Sequence, residues 1–392
     1  MKIIHLSDLH LGKRVNEFPM IEDQEYILKE IIGIIDAENP DAVLVAGDVY
    51  DKSVPSEEAV TLWDEFLSSL AKRHIEVFAI SGNHDSAVRF AGLGRLVEGA
   101  GIHLSPVYKG KISTYEMEDE YGVVKIHLLP FIKPANVRGF FPEEEINDYT
   151  DAVRVALSHP GGVAEDKQSD EADKSEETID KDLRNILVAH QFVTGAERCE
   201  SEEITIGGLD NVDASVFDDY DYVALGHIHG PQKVKRETVR YSGTPLKYSF
   251  SEKDHHKSVT IVELKEKGNI EIRKTELKPK HDLRQIKGTY EELTDRRNYE
   301  GTDTEDYIHA VLTDEEDIPD AMGKLRVIYH NLMKLSYDNK RTRTTQNIDK
   351  SAAVDDKSPL ELFEEFYEIQ NNSPMSEEQK ELVEGLIEGI WN

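Results

Sequence analysis

Seven side chains of the types that bind divalent cations follow closely after short apolar runs of this chain. The runs are residues 3–6, 43–47, 77–80, 186–189 and 222–226. The side chains that follow them are Asp8, His10, Asp48, Asn83, His190, His227 and His229. Carboxylates, an amide oxygen and imidazoles, without a thiolate, suit Mn²⁺, Fe²⁺, Zn²⁺ or Mg²⁺. Seven ligands are too many for one catalytic ion. They suit two ions that share a carboxylate. Pairs of metal ions ~3.5–4 Å apart are common in enzymes that catalyse phosphoester displacement.

Each of these motifs is weak evidence when it is taken alone. An Asp-x-His pattern is common by chance, and alternating histidines such as His227 and His229 also occur on exposed strand ends. Four histidines lack a strand-end context and are expected to be structural or exposed, namely His5, His103, His127 and His159. The joint pattern carries the argument, because five strand ends with ligands are hard to obtain by accident.

The apolar runs also indicate which elements position the ligands. Through the first hundred residues the runs alternate with amphipathic segments at 21–37 and 57–70, which is typical of a buried sheet with crossover helices. Strands buried on both faces are continuously apolar, as these are. If the strands lie parallel in one sheet, their carboxyl ends share an edge, where ligand sites of α/β sheets form. Gly47, Gly82 and Gly226 precede ligands, where the backbone must turn sharply or pass close to other groups.

Later segments have the pattern of antiparallel structure. Residues 111–117 and 123–129 flank a polar turn and predict a hairpin. Residues 239–242, 258–263 and 270–275 predict further strands, which we expect to be antiparallel. The sequence therefore predicts a mixed α/β domain with two sheets.

Composition divides the chain into parts. We expect a first domain at 1–275, a small α+β segment at 276–337, a linker at 338–357 and a helical segment at 358–392. Within the first domain, residues 161–182 hold nine acidic and three basic residues and predict a disordered surface loop. Two capping boxes, at 358–361 and 376–379, predict the starts of two helices in the last part.

Charge and cysteine content exclude several classes of protein. The 392 residues include 46 Lys and Arg and 78 Asp and Glu, a net charge of −32. Such a chain repels nucleic acid at long range, so DNA binding must rest on local features, metal ions or a partner. The single cysteine, Cys199, excludes an intrachain disulfide and a cysteine metal cage. No segment approaches the ~18–20 apolar residues of a membrane helix, and His5 and Asp8 interrupt any signal-peptide pattern. We expect a cytoplasmic protein.

The motifs resemble those of the calcineurin-like metallophosphoesterase superfamily. They are Asp8-Leu9-His10, Gly47-Asp48, Gly82-Asn83-His84-Asp85, His190 and Gly226-His227-Ile228-His229. The finer resemblance is to the SbcD family of nuclease subunits, bacterial relatives of the double-strand-break repair nuclease, and it is carried by residues 5–12, 221–229 and 241–245. It is strong to about residue 275 and weaker beyond. The resemblance implies a four-layer αββα sandwich at 1–275 with a small α+β capping domain at 276–337 and a C-terminal helical tail.

The resemblance also implies roles for individual residues. One ion would be held by Asp8, His10, Asp48 and His229, and the other by Asp48, Asn83, His190 and His227. Both ions are expected to be Mn²⁺, and the nucleophile would be metal-bound hydroxide. His84 would face the scissile phosphate, where it would stabilise developing charge or protonate the leaving 3′-oxygen, and Asp85 would orient it. Asp51 departs from archaeal and eukaryotic relatives, which carry His there, so their substrate-positioning role is not carried over to it.

The implied activity is that of a DNA nuclease subunit, with exonuclease action on double-stranded ends and endonuclease action on hairpins or single strands. It would work with an SbcC-like ATPase in DNA repair and recombination. The chain has no P-loop motif, so ATP would be bound by that partner. Basic residues beside the predicted cleft could contact phosphates or be ordinary surface charges, namely Lys13, Arg14, Lys52 and Arg89. The family also implies a homodimer, formed through helices of the first domain.

The tail has two apolar faces that need a cover. They are formed by Leu362, Phe363, Phe366 and Tyr367, and by Leu382, Val383, Leu386, Ile387 and Ile390. The resemblance implies docking on the coiled coil of the ATPase by helix-in-groove recognition. The alternative is that the two helices pack on each other or on the main domain.

Three other functions remain open from the sequence. A metallophosphoesterase could act on small phosphodiesters or nucleotides, although such an enzyme has no need of a tethered helical adaptor. Protein phosphatases tend to carry Gly-Asp-x-Val-Asp-Arg-Gly, whereas this chain has Asp51-Lys52 after its Gly-Asp motif. A scaffold that only bridges DNA and an ATPase is disfavoured by the complete ligand set.

Overall fold

Residues 1–162, 179–202, 210–342, 360–364, 367 and 375–391 are described in the computed structural model of the chain. The chain divides into two compact units, Met1–Asp282 and Leu283–Asn392. Most of the acidic segment expected at 161–182, and most of the linker expected at 338–357, lie outside the described residues.

The first unit is built from short strands and the helices that connect them. In chain order the strands are β1 (Lys2–Leu6), β2 (Arg14–Val15), β3 (Phe18–Pro19), β4 (Ala42–Ala46), β5 (Glu76–Ile80), β6 (Ile102–Leu104), β7 (Ser113–Asp119), β8 (Gly122–Leu129), β9 (Arg184–His190), β10 (Phe192–Val193), β11 (Asn211–Val212), β12 (Tyr222–Gly226), β13 (Gln232–Val234), β14 (Arg236–Tyr241), β15 (Ser258–Leu264) and β16 (Ile270–Glu276). The helices are α1 (Ile21–Glu38), α2 (Glu57–Ala71), α3 (Ala87–Phe90), α4 (Gly94–Val97), α5 (Pro134–Arg138) and α6 (Tyr149–Ser158).

Two six-stranded sheets form the centre of this unit. The first has the order β16-β15-β1-β4-β5-β6, and the second has the order β13-β14-β12-β9-β8-β7. In the first sheet β1, β4, β5 and β6 are parallel, β15 runs antiparallel to β1, and β16 runs antiparallel to β15. In the second sheet β8, β9, β12 and β14 are parallel and the two edge strands are antiparallel. The predicted hairpin at 111–129 is confirmed as the β7–β8 pair.

Two details of the predicted topology are wrong. The five strands that precede the ligands do not share a sheet, because β1, β4 and β5 lie in the first and β9 and β12 in the second. The strand predicted as antiparallel at 239–242 is β14, which runs parallel to β12. The reason is that β13 takes the edge position of the sheet. The chain then turns at Lys235, where φ is 61°, and β14 enters the sheet between β13 and β12.

The two sheets pack face to face and are covered by helices on their outer sides. Between the sheets, Leu44 and Phe78 of the first pack with Ile126 and Val188 of the second. On the outer face of the second sheet, Val153 and other apolar residues of α6 join one core with β9 and β12. On the outer side of the first sheet, α2 packs against α1 and β5. The expected four-layer αββα arrangement is confirmed, because each parallel sheet must bury both faces.

The start of α2 and the buried face of α1 follow from local sequence patterns. The Ser56 hydroxyl accepts a hydrogen bond from Ala59 N–H at 3.3 Å and caps α2. Residues Ile27, Ile31 and Ile35 recur at helical spacing and are fully buried under α1. A crossover helix that packs on a sheet connects parallel strands. The carboxyl ends of these strands therefore lie at one side of the unit.

The second unit contains a smaller parallel sheet. Its strands and helices are β17 (Leu283–Gly288), β18 (Tyr307–Leu312), β19 (Leu332–Tyr337), α7 (Tyr290–Thr294), α8 (Arg296–Tyr299) and α9 (Ala321–Leu325). Its core joins Ile308 and Leu332 of the sheet to Leu293 and Leu325 of the helices.

The C-terminal helix, Glu377–Trp391, starts at the capping box that the sequence predicts. Ser376 N–H donates to the Gln379 side-chain oxygen at 2.9 Å, and Gln379 N–H donates to the Ser376 hydroxyl at 3.3 Å. Residues 360–364 are also helical, while the capping residues predicted at 358 and 359 lie outside the described residues. Among the described helices, none combines the length and the hydropathy that crossing a bilayer requires.

Candidate metal centre

The ends of five strands, three from one sheet and two from the other, meet at one side of the sandwich. They bring together the seven residues that the sequence singles out, in two groups of three with Asn83 beside the second. The first group is Asp8, His10 and His229, and the second is Asp48, His190 and His227. In each group the ligand atoms lie within 4.8 Å of one another. Residues nearly the whole length of the first unit apart therefore share one site.

In the first group, two imidazole nitrogens face each other. His10 Nε2 lies 3.2 Å from His229 Nε2, and both side chains are buried. Burial lowers the pKa of His10 well below its ordinary value, so its ring is neutral and keeps a lone pair. The backbone N–H of His227 donates to the Asp8 carboxylate at 3.0 Å. Two facing nitrogens beside a carboxylate are the donor set of a divalent cation.

In the second group, the Asn83 side-chain oxygen is the common neighbour. It lies 3.0 Å from His190 Nε2 and 3.0 Å from His227 Nδ1. The other ring nitrogen of His190, Nδ1, lies 2.8 Å from the Ala46 carbonyl oxygen. Because that oxygen can only accept, Nδ1 carries the hydrogen in the neutral ring and Nε2 offers its lone pair to the site.

Asp48 contacts both groups. Its Oδ2 lies 3.3 Å from His190 Nε2 and 3.8 Å from His10 Nε2. Burial would raise the pKa of Asp48, but the neighbouring histidines outweigh it, His190 most of all, and lower that pKa. In turn, burial would lower the pKa of His190, but the Asp48 carboxylate raises it to about 9. Asp48 is thus the carboxylate that lies between the two groups of histidines.

The buried carboxylates of the cluster would be stabilised by added positive charge. Burial, with a smaller contribution from Asp48, raises the pKa of Asp8 to about 6 against the lowering effect of His190 and His229. Two fully buried carboxylates in one site repel each other and are costly without compensation. A bound cation supplies that compensation and displaces protons from its ligands. The residues present therefore fit divalent metal ions.

Four of the residues in this cluster have backbone conformations that side chains rarely adopt. The φ angles are 52° at Asp8, 45° at His10, 49° at Asp48 and 104° at His227. Each such residue costs on the order of 1–3 kcal/mol and persists only where its surroundings hold it. Here they do, because Asp8 N–H donates to Gly47 O at 3.0 Å and His10 N–H donates to Asp48 O at 2.9 Å. Four strained residues in one buried cluster are typical of a functional site.

Two glycines allow the strand ends to come this close. A Cβ added to Gly226 would lie 1.8 Å from the Ala46 carbonyl oxygen, across the gap between the sheets. A Cβ added to Gly82 would lie 2.1 Å from Asp48 Oδ1. Both distances are far below van der Waals contact, so the site is built only where these residues have no side chain.

His84 lies at the mouth of the cluster, and its ring is 17% exposed whereas Asp48 is 2% exposed. Its backbone N–H donates to Asp48 Oδ1 at 2.9 Å, and its Nε2 lies 3.9 Å from Asp48 Oδ2. Its Nδ1 lies 3.0 Å from the Asp51 carbonyl oxygen. The ring is thus held by a backbone carbonyl and directs Nε2 toward the cluster.

Asp85, which we expected to orient His84, contacts the backbone of two loops. Its carboxylate accepts hydrogen bonds from the backbone N–H groups of Gly82, Val49 and Tyr50, at 2.9, 3.2 and 2.9 Å. Burial, reinforced by Asp48, raises the pKa of Asp85 to about 6 despite these bonds. Asp85 therefore joins the loop after β4 to the loop after β5, which carries His84.

Sequence reasoning missed the side chains that support the first ligand loop. The Gln24 amide donates to His10 O at 2.7 Å, and the Tyr248 hydroxyl donates to Leu9 O at 2.6 Å. Gln24 lies on the buried face of α1, and a polar residue on an otherwise apolar face is a signal that could have found it. Nothing in the sequence marks Tyr248, which is 239 positions from its partner.

The remaining predicted histidines have partners outside the cluster. His5 Nδ1 lies 2.9 Å from the Tyr222 hydroxyl in the core, and His127 lies between Thr114 and Asn185. His103 pairs with Glu76, and His159 Nδ1 lies 3.0 Å from Val155 O.

Three of the four predicted basic residues lie beside the cluster. Lys13, Arg14 and Lys52 line a groove of about 380 Å³ together with Asp51, whose carboxylate pairs with Lys13 at 2.7 Å. The groove adjoins the loops that carry His10 and Asp48.

Comparison with known proteins agrees with this geometry. Residues 1–231 match the family model of the calcineurin-like phosphoesterases. Two curated relatives, from Staphylococcus epidermidis and Staphylococcus saprophyticus, are each named as the D subunit of the nuclease SbcCD and are 30% identical over 395 residues. These alignments cover 100% of this chain and 99% and 98% of the relatives. The chain belongs to the SbcD family of calcineurin-like phosphoesterases. SbcD membership extends to the second unit, because residues 279–371 match a model named SbcD_C, described as the type 5 capsule protein repressor C-terminal domain.

One solved structure is also similar in fold. It is a dimetal phosphatase from Danio rerio, 11% identical, with a TM-score of 0.39 over 71% of this chain and 98% of that one. At this level the likeness adds nothing to the SbcD assignment. The SbcD-family chain described here has a centre for divalent metal ions at the strand ends of its first unit.

Proposed function

We propose that this chain is the metal-dependent nuclease subunit of a DNA repair complex. It hydrolyses phosphodiester bonds, as an exonuclease at double-stranded ends and as an endonuclease on hairpins or single strands. The observation that supports this most directly is the position of Asp48, which contacts both groups of imidazole ligands. The full-length similarity to proteins named as nuclease subunits supports the substrate class.

The centre is proposed to hold two Mn²⁺ ions. Asp8, His10, Asp48 and His229 would hold one, and Asp48, Asn83, His190 and His227 would hold the other. The donor set of carboxylate, amide and imidazole suits Mn²⁺. When bound, a metal pair of this kind activates water and stabilises the charge that develops on the phosphate. Four of the proposed ligands have strained backbone conformations, as in a preorganised site whose groups would reorganise little during the reaction.

His84 is proposed to act on the scissile phosphate. The Asp51 carbonyl accepts from Nδ1, so the ring nitrogen directed toward the cluster is Nε2. A neutral ring in this tautomer presents only a lone pair at Nε2, so donation to the leaving 3′-oxygen requires the protonated ring. The protonated ring also stabilises negative charge on the phosphate. Asp85 is a positioning residue, because it fixes the loop from which His84 projects.

The C-terminal helices are proposed to bind an SbcC-like ATPase. Leu382 and Leu386 project from the C-terminal helix with 65% and 57% of their surface exposed. Large apolar side chains at i and i+4 suit helix-in-groove recognition. This chain has no P-loop, so the partner would supply any ATP dependence. Homodimerisation through helices of the first unit stays a prediction.

The first test is cleavage of DNA by the purified chain with MnCl₂, alone and with the ATPase. Linear duplex and hairpin DNA are compared with bis-p-nitrophenyl phosphate, since preference for the small ester would favour a small-molecule phosphoesterase. We expect His84→Ala to retain both metal ions and to lose on the order of 10²–10⁴-fold in cleavage rate. His330→Ala, which changes an exposed histidine of the second unit, is the control. Unchanged cleavage by His84→Ala would exclude the role given to this ring.

A further inference from the structure

A group of polar side chains, most of them buried, lies behind His229, on the side away from His10. Its members are Ser201, Glu202, Glu252 and Lys257. Glu252 is 0% exposed, Lys257 5% and Glu202 6%. The proposed hydrolysis gives none of them a direct task. Burying two carboxylates and an ammonium is costly unless each is paired, so their contacts indicate what they do.

The contacts form a chain that ends on the His229 ring. His229 Nδ1 lies 2.7 Å from Ser201 Oγ, and Ser201 Oγ lies 2.6 Å from Glu252 Oε1. The Lys257 ammonium donates to the other oxygen of Glu252 and to the Thr244 hydroxyl. An ion pair at one end and an imidazole at the other are therefore joined through a single hydroxyl.

The direction of hydrogen bonding along this chain follows from the groups involved. The Glu252 carboxylate, paired with Lys257, can only accept, so the single Ser201 hydrogen points to Glu252. The Ser201 oxygen then accepts from His229, which places the ring hydrogen on Nδ1. The lone pair of His229 is left on Nε2, the nitrogen that faces His10 Nε2 at 3.2 Å.

The backbone of His229 is held by the same group. Its N–H donates to Glu202 Oε1 at 2.7 Å, and its carbonyl oxygen accepts from Lys257 Nζ at 2.9 Å. The second Glu202 oxygen accepts from Cys199 N–H at 2.9 Å. Both oxygens of Glu202 are thus used by backbone donors. This argues against a third metal site at Cys199, Glu202 and His229, although their ligand atoms are close together.

From this geometry we infer that Ser201, Glu252 and Lys257 are positioning residues that set the tautomer and orientation of His229 as a ligand of one of the two metal sites. The inference rests on the proposed function. The other site has a different support, since the Ala46 carbonyl holds the corresponding nitrogen of His190. Loss of the Ser201 hydroxyl should therefore lower the metal affinity of the site that contains His229 and leave the affinity of the other site unchanged. Removing such a partner of a ligating histidine typically costs about 10–100-fold in metal affinity.

The experiment is a calorimetric titration of the metal-free, full-length chain with MnCl₂, with electron paramagnetic resonance of the loaded protein to detect coupling between two ions. For Ser201→Ala we expect the Mn²⁺ affinity of one site to fall about 10–100-fold and that of the other site to stay unchanged. Ser201→Thr keeps the hydroxyl and is expected to restore the affinity. Thr114→Val is the matched control, because it removes a hydroxyl that lies 3.0 Å from Nδ1 of His127, outside the metal centre.

The outcomes separate the inference from the proposed function. If the Mn²⁺ affinities of both sites are unchanged in Ser201→Ala, or if both fall equally, the positioning role is overturned while the two-metal centre stays intact. Failure of Ser201→Thr to restore the affinity would do the same. Fewer than two ions in the unaltered chain would instead contradict the proposed metal centre, and the inference with it.

Discussion

Replacing Gly226 by Ala tests whether the close approach of the two sheets builds the metal centre. The added Cβ would lie 1.8 Å from the Ala46 carbonyl oxygen and 2.8 Å from His190 Nδ1. To reach even 3.0 Å from the oxygen, the strands must separate by more than about 1 Å at this point. The closer contact joins the backbone of two central strands, β4 and β12, so no flexible side chain can relieve it.

The magnitude follows from this geometry. Overpacking of a core usually costs about 1–3 kcal/mol, and a Cβ pressed against a backbone carbonyl of a central strand belongs at or above the upper end of that range. We therefore expect Gly226→Ala to lower the free energy of unfolding by at least ~3 kcal/mol. The His190 ring must also move away from the Ala46 carbonyl that orients it, so Mn²⁺ affinity should fall together with stability.

The assay is urea denaturation followed by circular dichroism, with MnCl₂ titration at low urea. Gly33→Ala is the control, because Gly33 lies within α1 and a Cβ there has nothing within 4 Å. That control is expected to raise stability by ~0.5–1 kcal/mol, since Ala is the better helix former. A Gly226→Ala protein with unaltered stability and two Mn²⁺ ions would refute the view that the sheets must meet at this glycine.

Two further predictions concern the tail and the acid limit of stability. Leu386→Glu should abolish capture by an SbcC-like ATPase, because it places a charge on the exposed apolar face of the C-terminal helix. Val327→Glu, at another exposed apolar position of the second unit, should leave capture unchanged, and equal capture of both variants would exclude the docking proposal. Burial raises the pKa of Asp119, but Arg184 and the N-terminal ammonium outweigh it and hold that pKa below its ordinary value of 3.8. A carboxyl group whose pKa is lower in the folded than in the unfolded protein stabilises the fold at pH values above the unfolded-state pKa. This stabilisation is lost as the pH falls through the folded-state pKa. Asp119→Asn should therefore be less stable than the unaltered chain at pH 7, with the difference shrinking below pH ~4, as urea unfolding at several pH values would show; a difference independent of pH would contradict the ion pair.

Local pattern was sufficient for much of the fold. The continuous apolar runs correspond to β1, β4, β5, β9 and β12. The helix predicted at 57–70 is α2 with its Ser56 cap, and the capping box at 376–379 starts the C-terminal helix. These features depend on contacts between residues a few positions apart, so the sequence contains them directly.

Pairing between distant strands was beyond local pattern. A strand buried on both faces has the same composition in either sheet, so the apolar runs could not show that β9 and β12 face β1, β4 and β5 across a second layer. The direction of β14 depended on which strand took the edge of its sheet. The contacts of Asp85 likewise depended on how closely two loops approach each other.

What the sequence determined by itself is the chemistry, because the side chains that bind cations are a matter of residue type and of their place after apolar strands. Only the tertiary structure decided the geometry around them: the left-handed backbone at Asp8 and Asp48, the glycine at the junction of the sheets, and the hydroxyl of Ser201 behind His229. The physical reason is that these depend on groups far apart in the sequence, such as His10 and His229, which are 219 positions apart and whose distance is set by the packing of whole layers.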